Sequence, residues 1–233
     1  MKTTLTLPAT VEERLSGWVQ IQERRRQAPA EVRTRLTITL SRQYGCEGFP
    51  LALCLQEGLA TATGEAWSLF DKALLEKVAQ DEGISLRLLN ELGDATRSLE
   101  AFGFHPRGAV THDEAFAKVA HTLLKLARQG NAIIVGQGGA VLCGDLDNAF
   151  HFRLEASEAW RVASVRRRAG VTEEEALKRV RTEQKGRDQF LRECLGADGS
   201  DRRYYDAIFN NERHSVEAIA AAILAYVKTG SRG

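Results

Sequence analysis

Apolar residues along this chain recur with two periods, and the switches between them mark its elements. Val11, Leu15 and Trp18 follow helical spacing behind Thr10 and Glu13, a capping-box pair. That pattern predicts a helix to about Gln27, ended by Pro29. Residues 36–41, LTITLS, read as a buried strand, and a helix should begin near Gly48. WSLF (67–70) predicts a short strand leading into a helix at DKALLEKVAQ (71–80), and Ser85 can cap a further short helix. Residues 93–110 hold three glycines and a proline and predict irregular chain. Thr111 and Glu114 repeat the capping-box spacing. After them Phe116, Val119, Ala120, Leu123, Leu124 and Ala127 share one helical face, which Gly130 stops. NAIIVG (131–136) and AFHFRL (149–154) predict two more strands. Ser157 opens a helix that ends by Gly170, Thr172 and Glu175 make a third capping box that starts a long one, YDAIFN (205–210) is a last strand, and Ser215 caps a final helix.

Strands that alternate with helices imply right-handed βαβ units around a parallel sheet. The fold class expected is α/β: a doubly wound, five-stranded parallel sheet flanked by helices, with a helical lid. Residues 1–34 form an N-terminal helical extension, which either packs on the core or serves dimerisation. Residues 35–230 form the main domain, with the lid at about 171–200.

Composition narrows the function. Of 233 residues, 43% are hydrophobic, enough for one sizeable core. Charged residues make up 27% with a net charge of +1, a balance that calls for neither nucleic acid nor an anionic membrane as partner. No apolar run approaches the roughly 20 residues that span a bilayer. The first residues read poorly as a signal peptide, because acids follow the single lysine at once. Cys46, Cys54, Cys143 and Cys194 are too far apart for metal-ligand spacing and read as free thiols of a cytoplasmic protein. Trp67 and Trp160 are expected in the core, and His112 at a helix start.

In an open α/β sheet, ligands bind beyond the carboxyl ends of the strands, so the loop after the first strand is the first candidate site. It reads Ser41-Arg42-Gln43-Tyr44-Gly45-Cys46-Glu47-Gly48. Gly45 and Gly48 allow a tight turn near an anion, the next helix offers free N–H groups, and Arg42 can supply charge. The same glycines also suit an ordinary strand-to-helix turn. Against the pattern of a phosphate loop, Arg42 stands at the first glycine, Gly48 at the lysine and Phe49 at the magnesium-binding hydroxyl. Glu47 sets a carboxylate where phosphate would lie.

Taken together, TITLSRQYGCEGFPLA, FDKALLEKVA, NAIIVGQGGAVL, HFRLEASEAWRVASV and RDQFLRECLGADGSDRRYYDAIFNN, in that order, resemble the cytidylate kinase-like family over about residues 36–227. The family is a divergent branch of the nucleoside monophosphate kinases, and its loop also lacks the usual lysine. This chain departs from it at Cys46 and Glu47, where Ser and Gly are common, and at Gln137, where arginine is usual.

The resemblance implies ATP and Mg²⁺ as cofactors and a nucleoside monophosphate, CMP or dCMP, as the small-molecule acceptor. It places ATP over residues 41–49, with Ser41, Arg42, Gly45 and Gly48 as binding residues. The acceptor would lie between the helix at 71–80 and residues 137–140, with Lys77, Gln137 and Gly138 as contacts. Arg181, Arg187 and Arg192 of the arginine-rich 161–192 segment would bring lid charge onto the phosphates; as single residues they also suit a solvated helix. Asp71 can hold Mg²⁺ through water or cap the helix that follows it. Lys77 also reads as a surface lysine. A regulatory nucleotide-binding module of the same fold, without turnover, is the alternative that Glu47, Gly48, Phe49 and Gln137 favour.

Overall fold

Thr and apolar residues alternate in TITLSR, so this strand can bury apolar groups on one face only if its threonines find partners on the other. In the computed structural model, which describes residues 10–27, 35–80 and 112–229, both conditions are met. The strand β1 (Thr37–Arg42) is central in a sheet with β2 (Ser68–Phe70), β3 (Ala132–Val135), β4 (Ala149–Glu155) and β5 (Ala207–Asn210). The order is β2-β3-β1-β4-β5, and every pair is parallel. The helices are α1 (Val11–Gln27), α2 (Gly48–Thr63), α3 (Lys72–Gln80), α4 (His112–Gln129), α5 (Gly139–Leu142), α6 (Glu158–Ala169), α7 (Glu173–Leu195) and α8 (Val216–Thr229). The predicted five-stranded parallel sheet and its helix starts are therefore found. Ser85, the irregular 93–110 and Thr111 lie outside the described residues.

Ile38 and Leu40 of β1 join Ile133, Phe150 and Phe152 in a core closed by Leu51, Leu55 and Leu59 of α2 and Ile219 and Ile223 of α8. On the other face, Ala132, Ile134 and Ala149 pack with Leu74, Leu75 and Val78 of α3 and Leu123 and Leu126 of α4. The threonines point into this second layer. Thr37 Oγ1 donates to the Ala127 carbonyl at 2.7 Å, and the Thr39 hydroxyl lies 2.8 Å from His151 Nδ1. Left unpaired, each buried hydroxyl would cost about 1–3 kcal/mol.

Helix α1 of the extension packs on the core, the first of its two expected roles. Its reciprocal capping box is formed: Glu13 N–H donates to Thr10 Oγ1 (3.1 Å) and Thr10 N–H to Glu13 Oε2 (2.7 Å). Trp18 is buried, edge-on to Phe70 at 6.1 Å. Two expectations need correcting. Trp160 is only half-buried, because it lies in the first turn of α6 beside solvent, whereas Trp67 is buried as expected. The box at Thr172 is half-formed: Glu175 N–H donates to Thr172 Oγ1 at 3.3 Å, but its carboxylate turns to Arg179 at 2.5 Å.

The arginine-rich segment is a helical hairpin of α6 and α7. Its seam is small, made of Val162, Val165, Ala176 and Val180, with Tyr44 of the loop packed against it. The expected lid corresponds to α7 and the turn after it.

Candidate active site

The β1–α2 loop lies at the carboxyl edge of the sheet, as expected, and its geometry begins with Arg42. The side chain leaves the end of β1 and crosses the end of β3. A Cβ on Gly136 would stand 2.0 Å from Arg42 Nη1, and one on Gly48 would stand 3.1 Å from Arg42 Cδ. Gly136 has φ +81°, a left-handed conformation that favours glycine, and the end of the Arg42 side chain fills the space beside it. Burial, and after it the charge of Arg187, lower the Arg42 guanidinium to about 9; Asp71 pulls the other way. Arg42 is still charged at neutral pH, yet its guanidinium has no hydrogen-bond or ion-pair partner among the described residues.

Arg187 comes from α7. It donates from Nη1 to the Arg42 carbonyl at 3.2 Å and stacks on Tyr44 with its Cζ 5.0 Å from the ring centre. Burial lowers its guanidinium as well. Two arginines thus stand together without a carboxylate on either. Ser41, Arg42, Gly136, Gln137, Gly138 and Arg187 line one cavity of about 940 Å³. Its apolar wall is the edge-to-face pair Phe116 and Phe190, 5.4 Å apart. That volume suits a ligand larger than a single anion.

The outer side of the loop is held by arginines. Arg161 Nη1 donates to the Tyr44 carbonyl (3.1 Å) and Arg168 Nη2 to the Gly45 carbonyl (2.6 Å). Gly45 has φ +100°, and a Cβ there would lie 2.7 Å from Arg161 Cβ, so the turn is glycine because α6 crosses it closely. Glu47 N–H donates to Asn211 Oδ1 at 2.8 Å, while its carboxylate pairs with Arg167 at 3.2 Å. The N–H groups of Gly48 and Phe49, at the start of α2, have no acceptor among the described residues. They are the unpaired donors that an anion meets at a helix N-terminus.

The remaining expected residues divide. Gln137, at φ +56°, lies between Gly136 (φ +81°) and Gly138 (φ +69°), and this left-handed turn forms the cavity wall. Asp71 accepts from Leu74 N–H at 3.0 Å, the helix-cap role, and both its oxygens are taken by Arg14, at 2.6 and 3.0 Å. Burial would raise the Asp71 carboxyl, but the Arg14 hydrogen bonds outweigh it and hold it below its ordinary value. Lys77 is exposed and does not line the cavity; its helix contributes Lys72 and Glu76 instead. Arg192 is exposed away from it. Arg181 lies on the outer side of the hairpin, paired with Glu158 at 2.8 Å. Among the described residues, no group of three or more His, Cys, Asp or Glu side chains gathers as a metal site.

Sequence reasoning missed Arg153. It sits in AFHFRL, where a charge interrupts an apolar strand, and that interruption is its signal. It is buried, donates to Glu155 Oε1 at 2.7 Å and to the Tyr205 hydroxyl at 3.2 Å, and lines the cavity. Burial opposes its charge, but the Glu155 and Tyr205 contacts prevail and hold its guanidinium above the ordinary value. Arg153 is thus satisfied from within the protein, unlike Arg42.

The family model described as "Cytidylate kinase-like family" matches residues 37–213, which spans the sheet, the loop and the hairpin. The chain belongs to the cytidylate kinase-like family. The extension α1 lies outside the matched span. No curated protein matches the sequence. Among solved structures, an uncharacterized protein from Eubacterium ventriosum is similar, with a TM-score of 0.67 at 20% identity, over 84% of this chain and 99% of that one. This likeness shows the fold alone. A shikimate kinase from Bacteroides thetaiotaomicron (TM-score 0.40, 16% identity, 83% and 98% covered) and a gluconokinase from Sinorhizobium meliloti (TM-score 0.43, 15% identity, 85% and 99% covered) superpose more loosely. The chain's loop carries no lysine; Arg42 is the cation that the loop itself sends into the cavity. No described helix is long and apolar enough to cross a membrane.

Proposed function

We propose that this chain transfers a phosphoryl group from ATP to a nucleoside monophosphate, CMP or dCMP. The observation that carries this reading is the pair Arg42 and Arg187, two arginines without acidic partners at the carboxyl edge of a parallel sheet. Like charges in a half-buried site are a standing cost that a polyanion relieves.

ATP phosphates would lie on the Gly48 and Phe49 N–H groups beside Ser41 and Arg42. The acceptor would occupy the cavity between α3 and the 136–138 turn, its ring against the Phe116–Phe190 wall and its phosphate near Arg42, Arg187 and Gln137. Gln137 contributes hydrogen bonds without charge. The free N–H groups and the unpaired Arg42 fit a nucleotide. Mg²⁺ would arrive on the ATP phosphates and neutralise charge there, and Ser41 is the hydroxyl of the loop that lines the cavity. The chain's own part is to hold the two phosphates in line, surround the transferring group with arginine charge and close α7 over it.

One observation favours the second reading, nucleotide binding without turnover: Arg181 and Arg192 lie away from the cavity, which leaves Arg187 as the arginine that α7 brings to it. A coupled ADP-release assay across the common nucleoside monophosphates, with calorimetry using a non-hydrolysable ATP analogue and Mg²⁺, separates the readings. CMP- or dCMP-stimulated ADP release supports the kinase. Analogue binding without stimulated release by any monophosphate makes the second reading lead. No analogue binding refutes a phosphate site in this loop.

A further inference from the structure

Arg42 leans from β1 over the end of β3, toward the strand on its other side, β2. Asp71 follows β2 directly, and because Phe70 pairs with Ile134 it stands beside Val135, one residue before the Gly136 that the Arg42 side chain crosses. A free carboxylate there would be a natural partner for that guanidinium. It is not free. Arg14 of α1 grips it with two parallel N–H···O bonds, Nη2 to Oδ1 at 2.6 Å and Nη1 to Oδ2 at 3.0 Å, and the α3 backbone adds a third bond at Leu74. Such bidentate arginine–carboxylate pairs are the stronger, directional kind. Arg14 is held in place in turn, because α1 is anchored by buried Trp18.

We propose that Arg14 is a positioning residue of the phosphate site: by occupying both oxygens of Asp71 it keeps that carboxylate off Arg42, which then meets a ligand phosphate unpaired. The extension outside the family's matched span would thereby tune the site inside it. The proposal rests on the reading of Arg42 as a phosphate contact. Without Arg14, Asp71 and Arg42 would pair, and each incoming phosphate would have to displace a carboxylate already in place.

The test uses the full chain and four variants: Arg14→Gln, Asp71→Asn, Arg14→Gln/Asp71→Asn and Arg42→Gln. Calorimetry with CMP and with the ATP analogue gives affinities. The ¹⁵N-resolved Nε–Hε signal of Arg42, assigned by its loss in Arg42→Gln, reports whether that guanidinium has gained a partner. Arg14→Gln should weaken binding roughly tenfold and slow solvent exchange of the Arg42 Hε. Adding Asp71→Asn should restore both to within about twofold of wild type. Asp71→Asn alone should tighten binding, and it keeps the idea testable if Arg14→Gln does not fold; weakened binding there overturns it. A double variant as weak as Arg14→Gln means that Arg14 only braces α1, which also overturns it. If wild type binds neither probe, the functional reading fails. The Arg42 signal still decides this inference, which an unchanged Hε in Arg14→Gln overturns.

Discussion

Removal of the Glu47 charge tests how the loop tolerates a carboxylate at the place of a phosphate. A phosphate on the Gly48 and Phe49 N–H groups would stand about 5–6 Å from that carboxylate, a repulsion of roughly 3 kcal/mol at an effective dielectric of 20. Taken alone, this would make Glu47→Gln tighten binding by about a hundredfold. The structure reduces the figure, because Arg167 pairs with Glu47 at 3.2 Å from the side of α6. With Arg167 that much further from the phosphate, its attraction is roughly 2 kcal/mol, and the net repulsion falls to about 1 kcal/mol. Arg167 is 63% exposed and Glu47 22%, so solvent and salt lower both terms. Glu47→Gln should therefore tighten ATP-analogue binding by about fivefold or less in the wild-type background, and several times more in Arg167→Gln. Calorimetry of the four proteins at low and physiological salt measures both steps. An equal effect of Glu47→Gln in the two backgrounds would refute the screening argument, and weaker binding after Glu47→Gln would mean that the carboxylate serves the site.

Three further outcomes are expected. Trp18→Ala should destabilise the whole domain by about 3–5 kcal/mol in urea unfolding, because the extension is part of the core; a loss confined to α1 signals would contradict this. Gln137→Gly should stabilise the protein by up to about 1 kcal/mol, since a side chain at φ +56° is strained, and calorimetric melting checks it. Burial pushes the thiols of Cys46 and Cys143 up to about 11 and about 12, so both stay protonated below those values. Native protein should resist iodoacetamide at these two positions at pH 8, as peptide mapping would show, and react only once unfolded.

Much of the fold was legible because it rests on short-range chemistry. Strand alternation, the Thr10 and Ser157 caps and the helix-stopping glycines each need only neighbours in sequence, and all are formed. The loop's place at the carboxyl edge followed from the βαβ order. What stayed hidden depends on residues far apart in the chain. Gly45 reads as a turn glycine and Gly136 as the end of a strand, but the close approach of α6 to the first and of the Arg42 side chain to the second appears only in the fold. Arginine spacing could not tell Arg187, which faces the cavity, from Arg181, which faces Glu158, since both lie on one helix and only the docking of that helix separates them. The Arg14–Asp71 pair joins an extension to the main domain, and no local pattern announces it.

The Arg42 side chain lying through the gap at Gly136 has a consequence for descent. A side chain at 136 would have to push the end of that guanidinium aside and would be strained by φ +81° as well, while a shorter residue at 42 would leave the gap as an empty notch over β3. The two constraints on 136 are therefore unequal in descent: a lineage that shortens residue 42 removes the contact but not the left-handed backbone at φ +81°, so 136 stays glycine while 42 is free to drift.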